Sequence, residues 1–316
     1  MGSVVLSVDA ELGWGFHDLA SPPERRLANA RRGRSELADL LDAFDIPATW
    51  AVVGHCCLSA CDRNHADHPV GNGWFDRESG AWADRPELRF GPSLVERLLT
   101  DGVDHELASH TFSHVEFGAE TTTAALARAE LDRAVEAMDR FGVRPRSLVF
   151  PRNNVGHRDV LAECGFRTYR GRAPRRANAV QKVLATARGN PDPVLVKPHL
   201  DEYGLVNVPA SLFLFSVEGL LRRVSVRVVG DPIVDHARAG IRAAARRDGV
   251  FHMWLHPNNI TADRDLDRLR AICNAVDRHR GDLRIETLAD VGSRVRESGP
   301  GGVADGSSPV QGAADS

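Results

Sequence analysis

Two histidines four residues apart are the residues of this sequence best suited to bind a metal ion. His110 and His114 bracket the segment HTFSH, which follows a short apolar run that we predict as a strand. If the segment forms one helical turn, both rings lie on one face, close enough to hold a single ion. Alone, such a pair is more often two ordinary surface or core histidines. Whether the pair binds a metal ion therefore depends on which other side chains of the sequence lie beside it in the fold.

Two carboxylates end the first predicted strand. Asp9 and Glu11 are separated by one residue, so on an extended chain their side chains point the same way. One carboxylate can bind a metal ion while the other acts as a general base. The alternative is that both cap the segment that follows.

An arginine and a third histidine follow two further apolar runs. Arg152 lies in FPRNN, directly after a buried strand, where an arginine needs a carboxylate partner. We predict a pair with Asp9 that keeps this carboxylate ionised; otherwise Arg152 reaches solvent. His256 lies in WLHPNN, where it can donate a proton to a leaving amine near neutral pH. The alternative for His256 is a hydrogen-bonded core histidine.

These residues are set in a regular alternation of predicted strands and helices. The strand patterns are continuous apolar runs, which are typical of strands buried on both faces of a parallel sheet. Seven or eight such units favour a barrel over an open sheet, and in α/β barrels the loops beyond the strand carboxyl ends carry the chemistry. The predicted strands are 4–8, 49–53, 106–109, 147–150, 166–169, 211–215, 250–255 and 284–286, and helices are predicted around 37–44, 94–99, 123–141, 237–247 and 266–276.

The four motifs resemble, in kind and order, those of the polysaccharide deacetylase (NodB-homology) family of carbohydrate esterases. The resemblance covers residues 4 to 290. It implies a distorted (β/α)7 barrel in one catalytic domain, residues 1–297, and we expect 298–316 to be a disordered tail. The resemblance further implies a base, Asp9, an arginine that orients it, Arg152, an acid, His256, and a divalent metal ion, with zinc expected, on Glu11, His110 and His114.

The sequence departs from the family pattern in three places. The family has two adjacent aspartates where this chain has Asp9-Ala10-Glu11, and we still expect Glu11 to bind the metal. The arginine motif continues with two asparagines instead of proline and an aromatic residue. The aspartate that orients the acid histidine has no secure match, and Asp201 and Asp231 are the candidates.

The resemblance implies a metal-dependent hydrolase that removes an N-acyl group, expected to be N-acetyl, from a sugar or glycan precursor. One alternative is a superfamily amidohydrolase acting on a cyclic amide, a ureide or another C–N bond, in some cases without metal. Another is a non-catalytic sugar-binding relative. The intact HTFSH and Glu11 argue against a metal-free enzyme. Asp9 and His256 argue against a binding protein, because binding needs neither a base nor an acid.

Bulk properties limit the partners and the compartment. A net charge of −3 over 316 residues gives no overall attraction to nucleic acid, and no stretch approaches the ~20 apolar residues of a membrane span. The amino terminus has no basic region before its apolar run, so it predicts a strand and not a signal peptide. Five cysteines, three of them bunched, are a poor disulfide framework. We therefore expect a cytoplasmic protein and an intracellular substrate, without nucleic acid or membrane insertion; the oligomeric state stays open.

A long insertion and a basic run remain without an assigned role. Residues 55–92 are rich in Cys, His, Asp and Trp, and loops of this length are usually functional or disordered. Cys57, Cys61, His65 and His68 are zinc-ligand types, but their spacing matches no well-attested pattern, so we expect thiols without metal. The insertion's aromatic residues, Trp74, Phe75 and Trp82, either fix the loop or stack on a sugar, and the first role is favoured. The arginines of YRGRAPRR (169–176) are expected to be solvated surface.

Overall fold

A computed structural model describes residues 1–63, 65–71, 73–100, 102–174, 194–216 and 231–298, to which all structural statements below refer. Its strands form a single sheet that is parallel except for one antiparallel pair, β6 with β7. The strands are β1 (Ser3–Ala10), β2 (Thr49–Val52), β3 (Glu106–Ser109), β4 (Ser147–Val149), β5 (Thr168–Gly171), β6 (His199–Leu200), β7 (Val206–Pro209), β8 (Leu212–Phe213), β9 (Val250–Leu255) and β10 (Arg284–Glu286).

The helices alternate with these strands along the chain. They are α1 (Glu24–Ala43), α2 (Asp76–Ser79), α3 (Pro92–Thr100), α4 (Ala124–Asp139), α5 (Arg158–Glu163), α6 (Pro232–Arg246), α7 (Asp263–Asp277) and α8 (Leu288–Glu297). None of these helices is both long and apolar enough to cross a membrane.

Strand β1 is an interior strand of the sheet, and all eight of its residues are buried. It pairs with β9 on one side; on the other it pairs first with β10 and then, from Ser7 onward, with β2. The spatial order is β6-β7-β5-β4-β3-β2-β1-β9-β8, and the sheet curls into a half-barrel with helices around it. This confirms the predicted α/β barrel class. A continuous apolar strand such as β1 is stable only in such a position, covered on both faces.

The largest apolar cluster lies between the sheet and the helices packed on it. Leu41 of α1, Ile241 of α6 and Ile272 of α7 meet Leu6 and Met253 from two neighbouring strands. Burial of one such side chain stabilises the fold by about 1.5–3 kcal/mol. This packing fixes the strands whose carboxyl ends carry the site.

Most predicted elements are present, and the exceptions are short. The predicted strand 211–215 is reduced to Leu212–Phe213, and the sequence patterns missed β6, β7, α2, α5 and α8. Strand β7 reads VNVP, in which a polar residue and a proline hide the strand signal. The domain extent 1–297 stays a prediction. Residues 299–316 of the predicted tail, and Arg175 and Arg176 of the basic run, lie outside the described residues.

Candidate metal centre and active site

The carboxyl ends of five parallel strands from one stretch of the sheet bring the candidate residues to one edge. Because parallel strands end at the same edge, residues far apart in sequence meet there. Those that meet are Asp9 and Glu11 after β1, His110 and His114 after β3, Asn153 after β4, Arg170 on β5 and His256 after β9.

Glu11, His110 and His114 form a compact, buried group of three ligand atoms within 4.8 Å of one another. Glu11 Oε2 lies 3.2 Å from His114 Nε2 and 3.6 Å from His110 Nε2. His110 places Nδ1 2.7 Å from the carbonyl oxygen of Val149, to which that nitrogen donates. Its Nε2 is thereby left with a lone pair aimed at Glu11 and has no hydrogen-bond partner. This tautomer and donor set fit a divalent ion such as zinc.

The HTFSH segment is a loop and not the helical turn that we had considered. Thr111 (φ 61°) and His114 (φ 68°) adopt left-handed backbone conformations, which reverse the chain and turn both imidazoles toward Glu11. Glu130 of α4 holds this loop from behind, because its carboxylate accepts the backbone N–H groups of Phe112 (2.9 Å) and Ser113 (2.8 Å). Sequence reasoning missed Glu130, which is fully buried within a helix that otherwise shows only an apolar face.

The arginine that binds Asp9 is Arg170, not Arg152. Arg170 donates from Nη1 to Asp9 Oδ1 (2.6 Å) and from Nη2 to Oδ2 (2.7 Å), and both side chains are buried. The prediction for Arg152 is therefore wrong in position. Its side chain is 40% exposed and pairs with Asp18 (2.6 Å) and Glu116 (3.1 Å) at the rim. A left-handed backbone at Arg152 (φ 52°) turns it outward after β4.

Arg170 is itself held on every side, although the sequence placed it in a run expected to be solvated. It donates to Ser7 Oγ (3.1 Å) and to Asn153 Oδ1 (3.1 Å), and its guanidinium lies 4.4 Å from the ring centre of Trp254. The curl of the sheet turns the side chains of β5 toward those of β1 across four strand steps. Asn153, the first asparagine of FPRNN, thus supports Asp9 through Arg170.

His256 lies beside both carboxylates with its side chain one quarter exposed. Its Nε2 is 3.6 Å from Asp9 Oδ2 and 3.9 Å from Glu11 Oε1, and its ring contacts Phe213 and Trp254. The two proposed orienting carboxylates have other partners. Asp201 binds Arg158, and Asp231 caps α6 and binds Arg268.

The electrostatics of the site keep both carboxylates ionised. Burial opposes ionisation of Asp9, but the charges of Arg170 and His256 outweigh it and lower its pKa. Burial also opposes ionisation of Glu11, whereas the neighbouring imidazoles of His256, His110 and His114 hold its pKa well below the usual range. Burial lowers the pKa of His114 despite its contact with Glu11, so a neutral imidazole is available as a ligand.

A glycine leaves the space that Glu11 occupies. A Cβ atom on Gly15 would lie 2.1 Å from Glu11 Oε1, far inside contact distance. Asn258 donates to the same oxygen from the other side (3.1 Å). Asn258 therefore holds the Glu11 carboxylate on one side. On the other side, residue 15 must lack a side chain for the carboxylate to keep this position.

The insertion forms one wall of the site. Trp74 donates to the hydroxyl of Ser113 (3.0 Å), within HTFSH, and packs edge-on against His17 (4.3 Å between centroids). The His17 ring in turn lies 6.2 Å from that of His114. This geometry agrees with the favoured structural role for Trp74.

The fold and the site define an α/β barrel protein with a buried Glu-His-His group that could hold a metal ion, beside an arginine-bound aspartate. Residues 29–169 match the model of the polysaccharide deacetylase family. The match includes HTFSH; Asp9, Glu11 and His256 lie outside it.

Solved structures show the same fold at low identity. A putative polysaccharide deacetylase from Mycobacterium smegmatis has 18% identity and a TM-score of 0.60, over 93% of this chain and 90% of that one. An allantoinase has 14% identity and a TM-score of 0.60, over 94% and 91%. A probable polysaccharide deacetylase from Pseudomonas aeruginosa PAO1 has 13% identity and a TM-score of 0.59, over 94% and 92%. No curated protein matches the sequence significantly.

Proposed function

We propose that this protein is a metal-dependent hydrolase that removes an N-acetyl group from a sugar or glycan precursor. The observation that carries the proposal is the convergence of three buried metal-ligand side chains with a carboxylate and a partly exposed histidine. His256 Nε2 lies within 3.9 Å of both Asp9 and Glu11. The match of residues 29–169 to the polysaccharide deacetylase family model supports the same reaction class.

Glu11, His110 and His114 would hold the ion, with zinc as the proposed metal. When bound, it would polarise the acyl carbonyl and lower the pKa of water at the site. Three protein ligands leave room for other groups, as catalytic zinc sites require.

The chain's own residues supply the proton transfers. Asp9, held ionised by Arg170, takes a proton from water as the water oxygen bonds to the amide carbon. His256 donates a proton to the nitrogen as the C–N bond breaks, so that acetate and a free amine leave. His256 is the more exposed of the two groups and therefore faces the side from which substrate enters.

The same groups could open a cyclic amide, since that reaction also adds water to a carbonyl and protonates a leaving nitrogen. The experiment must therefore include both classes.

Purified protein would be incubated with N-acetylated sugars and with cyclic amides and ureides, and acetate and free amine would be measured. We expect stoichiometric acetate and amine from at least one acetylated sugar, and none with His110→Ala. If the protein turns over only the cyclic amides or ureides, its activity is ring opening and the proposed deacetylation is wrong.

The proposal includes a reducing, cytoplasmic compartment and hence an intracellular substrate. Its support is that all five cysteines are free thiols, three of them buried.

A further inference from the structure

A second group of metal-ligand side chains lies in the insertion, apart from the catalytic residues. His55, Cys61, His65 and Glu78 place one donor atom each within 4.8 Å of one another. Glu78 Oε1 lies 2.9 Å from His55 Nε2, and Glu78 Oε2 lies 2.5 Å from His65 Nε2. Cys61 Sγ lies 3.4 Å from the same His65 nitrogen. The four donors therefore face a common centre.

These four donors are the types that zinc prefers in proteins: two imidazoles, one thiolate and one carboxylate. At ordinary Zn–N and Zn–S lengths, donors of a tetrahedral site lie about 3.3–3.8 Å apart. Two of the three distances are shorter than this because the donors touch one another. A movement of about 1 Å by Glu78 would open the group to an ion. Four protein ligands describe a closed, structural site, unlike the three-ligand catalytic centre.

The buried histidine of this group is incompletely bonded without an ion. His55 has no exposed surface, and neither ring nitrogen makes a hydrogen bond, although Nε2 points at Glu78. A buried polar atom without a partner costs about 1–3 kcal/mol. A metal bond at Nε2 would remove that cost at the nitrogen that faces the other donors.

Aromatic rings and an arginine around this group hold its side chains in place. The His55 ring is enclosed by Trp14 (4.5 Å) and Phe90 (5.4 Å), and His65 stacks on Phe75 (3.7 Å). Arg89 donates to Glu78 Oε1 (3.4 Å), the kind of outer partner that orients a ligating carboxylate.

The ligands differ from those considered in the sequence. Cys57 packs in the apolar core, and His68 pairs with Glu130 (3.2 Å). Their places are taken by His55, which follows β2, and Glu78 of α2. No sequence spacing links these four, because three of them come from the folded insertion and one, His55, from the barrel edge after β2.

We propose that His55, Cys61, His65 and Glu78 form a second, structural zinc site that ties the insertion to the barrel. It holds Phe75 and the adjacent Trp74, and thereby the wall that contacts Ser113 of the catalytic loop. This inference does not depend on the proposed hydrolysis, because it concerns a different ion.

Cobalt substitution tests the site directly. A Co²⁺ ion bound by Cys61 gives a thiolate-to-metal charge-transfer band in the near ultraviolet, and the Glu-His-His centre has no thiolate to give one. We expect the wild-type protein to bind two equivalents of Zn²⁺ or Co²⁺ and to show this band. Absence of the band from the folded wild-type protein at saturating Co²⁺ would overturn the proposal, without any variant.

Three variants assign the two ions. Cys61→Ser should lose the band and one equivalent, whereas Cys164→Ser, a half-buried thiol outside the group, should keep both. His110→Ala should lose one equivalent and keep the band. If the catalytic centre binds no metal, the wild type holds one equivalent with the band, and only the proposed function fails. A single equivalent that His110→Ala removes and Cys61→Ser keeps would refute the structural site.

Discussion

Arg170 binds both oxygens of Asp9 through two hydrogen bonds, Nη1–Oδ1 at 2.6 Å and Nη2–Oδ2 at 2.7 Å, with no part of the guanidinium exposed. Such a two-point contact fixes the direction of a carboxylate as well as its charge. Asp9 can therefore serve as a base of low pKa whose free lone pairs point in one direction.

Arg170→Lys should lower kcat/KM about 10- to 100-fold, because lysine keeps the charge but cannot bind two oxygens in a plane. Loss of the guanidinium contact lets burial raise the pKa of Asp9. Since the base must be ionised, the acidic limb of the pH profile should move to higher pH. The matched control is Arg152→Lys at the rim, which should change kcat/KM less than threefold. If the folded Arg170→Lys protein keeps the acidic limb of the pH profile at the wild-type pH, Arg170 does not orient Asp9.

Gly15→Ala should leave the fold intact and weaken metal binding at the catalytic centre. The new methyl group occupies the position of the Glu11 carboxylate, whose flexible end moves at little cost. Metal content and thermal melting would be measured together, with Gly281→Ala as the control because a Cβ there meets nothing within 4 Å. Full metal occupancy in Gly15→Ala would show that Glu11 is not a required ligand.

Glu130→Gln should reduce metal affinity by about 10- to 100-fold, the usual effect of losing an outer-shell partner. The neutral amide weakens the charge-assisted bonds to Phe112 and Ser113 that hold both histidines in place. Competition with a chelator would measure the affinity. Glu136→Gln, exposed on the same helix, should behave as wild type. Equal affinities in the two variants would show that the loop holds its shape without Glu130.

His252 should make the protein less stable in acid. Burial lowers its pKa from 6.5 to about 3, so between these values the unfolded chain binds a proton that the folded chain does not. Stability is therefore lost as pH falls through this window, by about 1.4 kcal/mol per pH unit for one proton. Urea unfolding between pH 6 and about 4 should show a shallower dependence in His252→Gln. Exposed His199→Gln should retain the wild-type slope, and parallel slopes in all three proteins would mean that His252 titrates normally.

The sequence predicted the barrel class and the Glu-His-His triad because both rest on local patterns. Strands such as Val250–Leu255 are continuous apolar runs, and the ligands directly follow strand ends. The partner of Asp9 could not be predicted locally. Arg152 and Arg170 both lie at strand ends. The left-handed backbone at Arg152 turns that side chain outward, and the curl of the sheet points Arg170 toward Asp9. Strand parity offers one signal, since Tyr169 and Arg170 face opposite sides of β5.

The most direct measurement compares metal content and acetate release in the wild type, His110→Ala and His256→Gln. His256 is partly exposed and is not in the ligand set, so its variant should fold and keep the wild-type metal content. We predict that His256→Gln retains the metal and loses most turnover, whereas His110→Ala loses one equivalent of metal together with turnover. Wild-type turnover that survives complete removal of metal, or full turnover by either variant, would contradict a metal-dependent hydrolase with His256 as its acid.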